Sequence, residues 1–278
     1  MRYLDVPDDD AVDVYELSIS KIQVPHTKDR FAKATVQLCE DSDRYLRAVA
    51  AGGLAAEPDF TLTDVTQEEM SRHYKNRFAR KESPGRRVYD QIKIRARGMC
   101  PLCGPRTVGT LDHYWPKSPH TSLAVHPANL VPCCWECNNR KADFQPSDRA
   151  GELLHPYFDN LGNDLWLECE IIDVSGSPAF LFAPTRPASW SDETFWRVCH
   201  HFEFFDLGEL YASQAANEFE SIRHELAEVL TEDDAAGVRK HLERATRSRT
   251  NSEPNGWQAA MYRAMAASTK FHAGPFTK

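Results

Sequence analysis

The apolar and polar positions of the chain divide it into helical stretches and a few short strand-like runs. His26 to Ala51 has the length and composition of one helix, ended by Gly52-Gly53. Thr66-x-x-Glu69 is a capping box, in which each residue satisfies the other's backbone N–H, and it predicts a second helix through about Arg80 that Ser-Pro-Gly at 83–85 terminates. A third is expected from Arg86 to Gly98. Val108 to His113 should form one strand and the residues around Leu130 a second, with a helix beginning near Asn138 and running through Asp143. Residues 165–172 and 178–184 then read as two strands joined by a Ser-Gly-Ser-Pro turn. Helices are expected from Ser191 to Phe205, Leu207 to Leu230, Asp233 to Arg247 and Pro254 to Ser268. No internal repeat or low-complexity tract interrupts this order. The fold class is α+β and mostly helical, in three regions: an N-terminal helical region at 1–97, a small core at 98–148, and a strand pair plus helices at 149–278.

Composition narrows the class. With 278 residues and 41% apolar content, the chain can bury a substantial core, and length alone suggests roughly two domains at ~150 residues each. The start, MRYLDVPDDDAVDVYE, is acidic, and no run approaches the ~18–20 apolar residues of a membrane span, so a cytoplasmic protein with no membrane partner is expected. Eight cysteines are too few for a secreted disulfide scaffold. Cys39, Cys133, Cys169 and Cys199 are then most simply reduced thiols.

The other four cysteines form two Cys-x-x-Cys pairs, Cys100/Cys103 and Cys134/Cys137. Each pair can place two thiolates on one tetrahedral ion, so together they complete a four-cysteine structural zinc site. Cys133 is the rival ligand, but Cys134 has the x-x spacing to Cys137. Thirty residues separate Cys103 from Cys134, more than the roughly 15–20 of an ordinary two-knuckle finger. A plain zinc ribbon would account for the cysteines alone; the long loop asks what else the clamp holds.

Inside that loop lie Asp112-His113 and Asn129, and Asn138 follows the last cysteine. Hydrolysis of a phosphodiester needs a base near neutral pH, and imidazole is the side chain whose unperturbed pKa lies there. It also needs charge neutralisation at the phosphoryl group, which a divalent ion held by a carboxylate and an amide can supply. Within LDHYWPKS, NLVPCCWECNNRKAD and the framing CPLC, the chain resembles the HNH endonucleases of the ββα-metal (His-Me finger) superfamily, over residues 98–145. The resemblance implies a zinc-clamped ββα core in which His113 is the general base. Asp112 faces the catalytic metal, and Asn129 supports the histidine-bearing loop. Asn138 stands where the family often has a histidine ligand; its amide oxygen suits Mg²⁺ or Mn²⁺ better than a catalytic zinc.

Lys117, Arg140 and Lys141 flank the motif as candidate phosphate contacts, a role that solvated surface charge would satisfy equally. His120 and His126 have no ligand partner by spacing and are read as loop residues. Ten Lys/Arg between Arg72 and Arg97, against Glu82 and Asp90, make a basic segment in a chain of net charge −8. It could neutralise a nucleic-acid backbone, or be a solvated helix face. The flanks, in LHPYFDN and PNGWQAAMYRAMAAS, resemble the HNH subunit of Septu-type two-component phage-defence systems, which act beside an ATPase. Packing explains HPYFD more simply than a catalytic His155 does. The expected function is therefore metal-dependent endonucleolytic hydrolysis of DNA in phage defence, with an ATPase or other protein partner or a second copy of the chain. The alternative is a non-catalytic, zinc-dependent nucleic-acid-binding or scaffold subunit.

Overall fold

The computed structural model describes residues 1–174 and 176–276. About half of the chain is helical, and two small antiparallel sheets complete an α+β fold. It divides into two compact units, Arg2–Asn160 and Leu161–Lys278, the latter grouped with Met1. The regions expected at 1–97 and 98–148 thus share the first unit, as do residues 149–160.

The first unit opens with α1 (Ala11–Ile19), where the Asp10 carboxylate accepts from the Val12 and Asp13 N–H groups. This helix was not among the expected elements, although an N-cap aspartate before an apolar period marks it. Next comes α2 (Pro25–Ala51), closed by Gly52 in the left-handed region at φ 93°. The Thr66–Glu69 capping box is present and opens α3 (Gln67–His73). The helix expected through Arg80 changes form there: Tyr74–Ala79 is a π-helical turn. Further on, α4 (Arg86–Arg95) stops short of Gly98, because Arg97 and Gly98 both take positive φ. Strands β1 (Thr110–His113) and β2 (Leu130–Cys133) pair antiparallel, with His113 opposite Leu130 and Asp112 opposite Val131. The helix expected near Asn138 starts earlier, as α5 (Trp135–Lys141), because the Cys134 side chain caps its N-terminus. Apolar side chains from α1 to α4, including Tyr15, Phe31, Leu38, Met70, Phe78 and Ile92, form one core with Leu111 and Leu130 of the strands. The small sheet is therefore held by a helical wall.

In the second unit, β3 (Leu167–Val174) and β4 (Ser177–Pro184) form the expected hairpin; Ser175 of its turn lies outside the described residues. Then α6 (Asp192–Phe204) leads to α7 (Leu207–Ser252), which spans both helices expected at 207–230 and 233–247. The interruption between them survives as a local break at Asp234 (φ 64°, ψ −168°). Its carboxylate accepts from the Ala236 and Gly237 N–H groups, restarting the helix as an N-cap would. The unit closes with α8 (Trp257–Ala267) and α9 (Thr269–His272). No helix among the described residues is long and apolar enough to cross a membrane.

Two core histidines give the fold a pH limit. His73, whose Nε2 lies 2.7 Å from Ser18 Oγ, and His126, 2.9 Å from Ser42 Oγ, are buried. Burial pushes both down to about 4, from an ordinary value of 6.5. The unfolded chain therefore binds protons that the folded chain refuses between about pH 6.5 and 4, so stability falls as pH drops through that window, by about 1.4 kcal/mol per pH unit for each histidine at the steepest. Urea midpoints measured from pH 7 to 4 should fall steadily; a flat profile down to pH 4 would contradict this.

Candidate functional site

The cysteine cluster is built by two segments, the Cys100–Cys103 knuckle and the start of α5. The Cys100-Pro-Leu-Cys103 knuckle closes with Gly104 N–H donating to the Cys100 carbonyl at 2.8 Å, and Gly104 reaches this turn at φ 91°. At the other end, Cys134 caps α5 and its Sγ accepts from Cys137 N–H at 3.3 Å. The four Sγ atoms of Cys100, Cys103, Cys134 and Cys137 lie within 4.8 Å of one another, all buried, with Cys103 and Cys134 3.9 Å apart. Sulfurs on a tetrahedral zinc at about 2.3 Å stand about 3.8 Å apart, so the cluster could hold that ion. Cys133 is outside the cluster, a buried thiol raised by desolvation. Gly109, just before β1, admits the Trp135 indole, whose Nε1 would lie 2.3 Å from any Cβ there.

Next to this clamp, β1 presents Asp112 and His113 to opposite sides, as successive strand residues must. The Asp112 carboxylate, 6% exposed, lies 3.1 Å from Lys141 Nζ of α5. Lys141 also donates to the His113 carbonyl at 2.6 Å. Burial raises Asp112 above the ordinary carboxylate range, and Lys141 pulls it partly back. Lys141, expected at a phosphate, is thus not a surface contact: it is the buried counter-ion of Asp112. Removing it by Lys141→Met should cost about 3–5 kcal/mol in urea unfolding, because the carboxylate is left buried and unpaired. Adding Asp112→Leu should return much of that loss. A Lys141→Met chain as stable as the parent would show that the pair is not stabilising.

On the other side, His113 Nε2 lies 2.8 Å from the Ala124 carbonyl, and the Tyr74 ring stands edge-on at 4.6 Å. A carbonyl only accepts, so Nε2 carries the proton and Nδ1 the lone pair. Burial, with Lys117 adding to it, lowers His113 to about 3 and keeps the imidazole neutral. Asn129 is fully buried and ties down the chain after His113: its Oδ1 accepts from Trp115 N–H at 2.7 Å, and its Nδ2 donates to the Trp115 and Leu123 carbonyls at 3.0 and 3.2 Å.

Asn138 is half-buried on α5, three residues before Lys141 and so on the neighbouring face. Lys117 is half-buried, its ammonium 5.8 Å from the Tyr74 ring centre. Arg140 is exposed on α5. Residues not anticipated from sequence also join the site. Tyr45 Oη of α2 lies 3.3 Å from Asn129 Oδ1 and 3.2 Å from His155 Nε2, and His155 Nδ1 accepts from Tyr157 N–H. His155 packs at 4.0 Å between ring centres on Tyr114, the residue after His113. The HPYFD segment therefore packs, and what it packs against is the loop that Asn129 holds. His120 and His126 are buried, with His120 Nδ1 accepting from Phe60 N–H. No local pattern marks Tyr45 or Tyr74, since each matters through a residue far away in sequence.

No family model and no solved structure matches the chain. The chain is similar to Protein ea31 of Escherichia phage lambda, 29% identical over 233 residues that cover 76% of each protein.

Proposed function

We propose that the chain is an HNH endonuclease of the ββα-metal type, hydrolysing DNA phosphodiesters, with a structural zinc on Cys100, Cys103, Cys134 and Cys137. One observation carries the reading: a neutral His113, its tautomer set by Ala124, follows the buried Asp112 at the end of β1, inside the loop that the two halves of the cysteine cluster bracket. In this reading Nδ1 of His113 takes the proton of the attacking water. A phosphodiester alongside supplies negative charge that raises the lowered pKa of the imidazole back toward its ordinary value and makes it a better base. Asp112 and the amide oxygen of Asn138, both hard donors, would hold Mg²⁺ or Mn²⁺; that ion, when bound, supplies charge neutralisation at the phosphoryl group. Asn129, through its three bonds, keeps the base from swinging away. The flank motifs extend the proposal to phage defence alongside an ATPase, another protein partner or a second copy of the chain.

A second reading, a non-catalytic zinc-dependent nucleic-acid-binding or scaffold subunit, is favoured by the Lys141 ammonium that neutralises Asp112. The deciding experiment is divalent-ion-dependent cleavage of DNA by the purified zinc-loaded chain, with a His113→Ala chain alongside and the candidate partner added in a second series.

A further inference from the structure

We propose that the cleft between the residues before α2 and the α3–π-helical segment is the cradle for backbone phosphates of the DNA strand. It has a volume of about 660 Å³. Ile22, Val24 and Phe31 supply apolar surface to it, and Arg72, Arg77 and Arg80 bring three guanidinium groups to the same cleft. Glu69, the acidic residue lining it, is already held by both terminal nitrogens of Arg30, and that pairing lowers it to about 2. It therefore does not offset the arginines. Among the described residues no carboxylate pairs with Arg72, Arg77 or Arg80; Arg77 donates to the Lys21 carbonyl and keeps its charge uncompensated.

Uncompensated, clustered arginines on a chain of net charge −8 call for an anion. Guanidinium forks match phosphate oxygens, and several along one concavity fit a polyphosphate chain better than a single carboxylate. Position selects the ligand further. The π-helical turn Tyr74–Ala79 gives Asn76 and Arg77 to the cleft, and its first residue, Tyr74, rests on the His113 ring at 4.6 Å. One π-helical turn thus lines the cleft with Asn76 and Arg77 and touches the proposed base with Tyr74. Such π turns shift side chains out of α register and recur at functional sites. This rests on the nuclease reading for its choice of DNA, while the charged cleft stands independently of any cleavage.

The test measures binding, not turnover. In the full-length, zinc-loaded His113→Ala chain, Arg72→Ala/Arg80→Ala should weaken binding of a labelled DNA duplex about tenfold at about 50 mM salt. It should also lower the slope of log affinity against log salt by about two, one for each lost phosphate contact. Lys240→Ala/Arg244→Ala, exposed positions on α7 with the same change in net charge, should leave both quantities nearly unchanged. Arg72→Lys/Arg80→Lys should keep most of the slope. Equal losses in the cleft and α7 variants, no loss in the cleft variant, or no binding by the parent chain would each overturn the proposal. A chain that binds through the cleft but never cuts DNA would instead sink the nuclease reading alone.

Discussion

Replacing His113 with Ala is expected to lower divalent-ion-dependent DNA cleavage by about 10²-fold or more while leaving the fold and the zinc content as they were. The size follows from losing a positioned general base. The survival of the fold follows from what His113 does structurally: one hydrogen bond to Ala124 and one ring contact with Tyr74, neither of which anchors the sheet. The sheet is held by Leu111 and Leu130 in the helical core, and these remain. Cleavage rates with Mg²⁺ or Mn²⁺, circular dichroism and zinc analysis on the same preparation separate the outcomes. A folded His113→Ala chain that cuts at the parental rate would remove the mechanism. A parental chain that never cuts, with any divalent ion and with the partner present, would leave the scaffold reading.

The sequence carried the elements well where the signal was local. The capping box at Thr66, the glycine stop at Gly52 and the strand pair read at 165–172 and 178–184 each depend on neighbours a few residues away; box and stop are present, and the strands form with bounds 167–174 and 177–184. The interruption before Asp233 was also local, and it persists as the Asp234 break rather than as two separate helices. Errors arose where a residue's role depends on the far side of the fold. Cys134 caps α5 with its sulfur, which no capping preference for Ser, Thr, Asp or Asn would suggest, so the helix begins three residues before the expected Asn138.

Lys141 shows the same limit in the site. In sequence it ends an Asn-Asn-Arg-Lys run and has the look of a phosphate contact; the placement of α5 across β1 turns it inward onto Asp112 and the His113 carbonyl. Its neighbour Arg140 stays exposed. The four cysteines, by contrast, were legible as a group because the x-x spacing already dictates that each pair converges. Asn129 was legible only by resemblance, whereas the hydroxyl of Tyr45 beside it comes from a helix more than eighty residues earlier.

Cys100→Ser or Cys134→Ser is expected to have the largest effect of any single change: loss of zinc and of the folded first unit together. Structural zinc in small four-ligand sites contributes about 10–16 kcal/mol of apparent binding energy, which is folding energy when the site does not exist in the unfolded chain. Here the ion would join the Cys100–Cys103 knuckle to the start of α5, across a thirty-residue loop that contains β1 and β2. Cys134 has a second duty, since its sulfur satisfies Cys137 N–H at the head of α5, and so its loss should be at least as damaging as that of Cys100. Asp112→Ala and Asn138→Ala should keep zinc and lose divalent-ion-dependent cleavage, because neither side chain belongs to the cysteine cluster, although Asp112→Ala also lowers stability by leaving buried Lys141 unpaired. Metal analysis and thermal unfolding of the four variants test the division of labour: zinc missing from the Asp112→Ala chain and retained at full occupancy by the Cys134→Ser chain would reverse the assignment of the two metals.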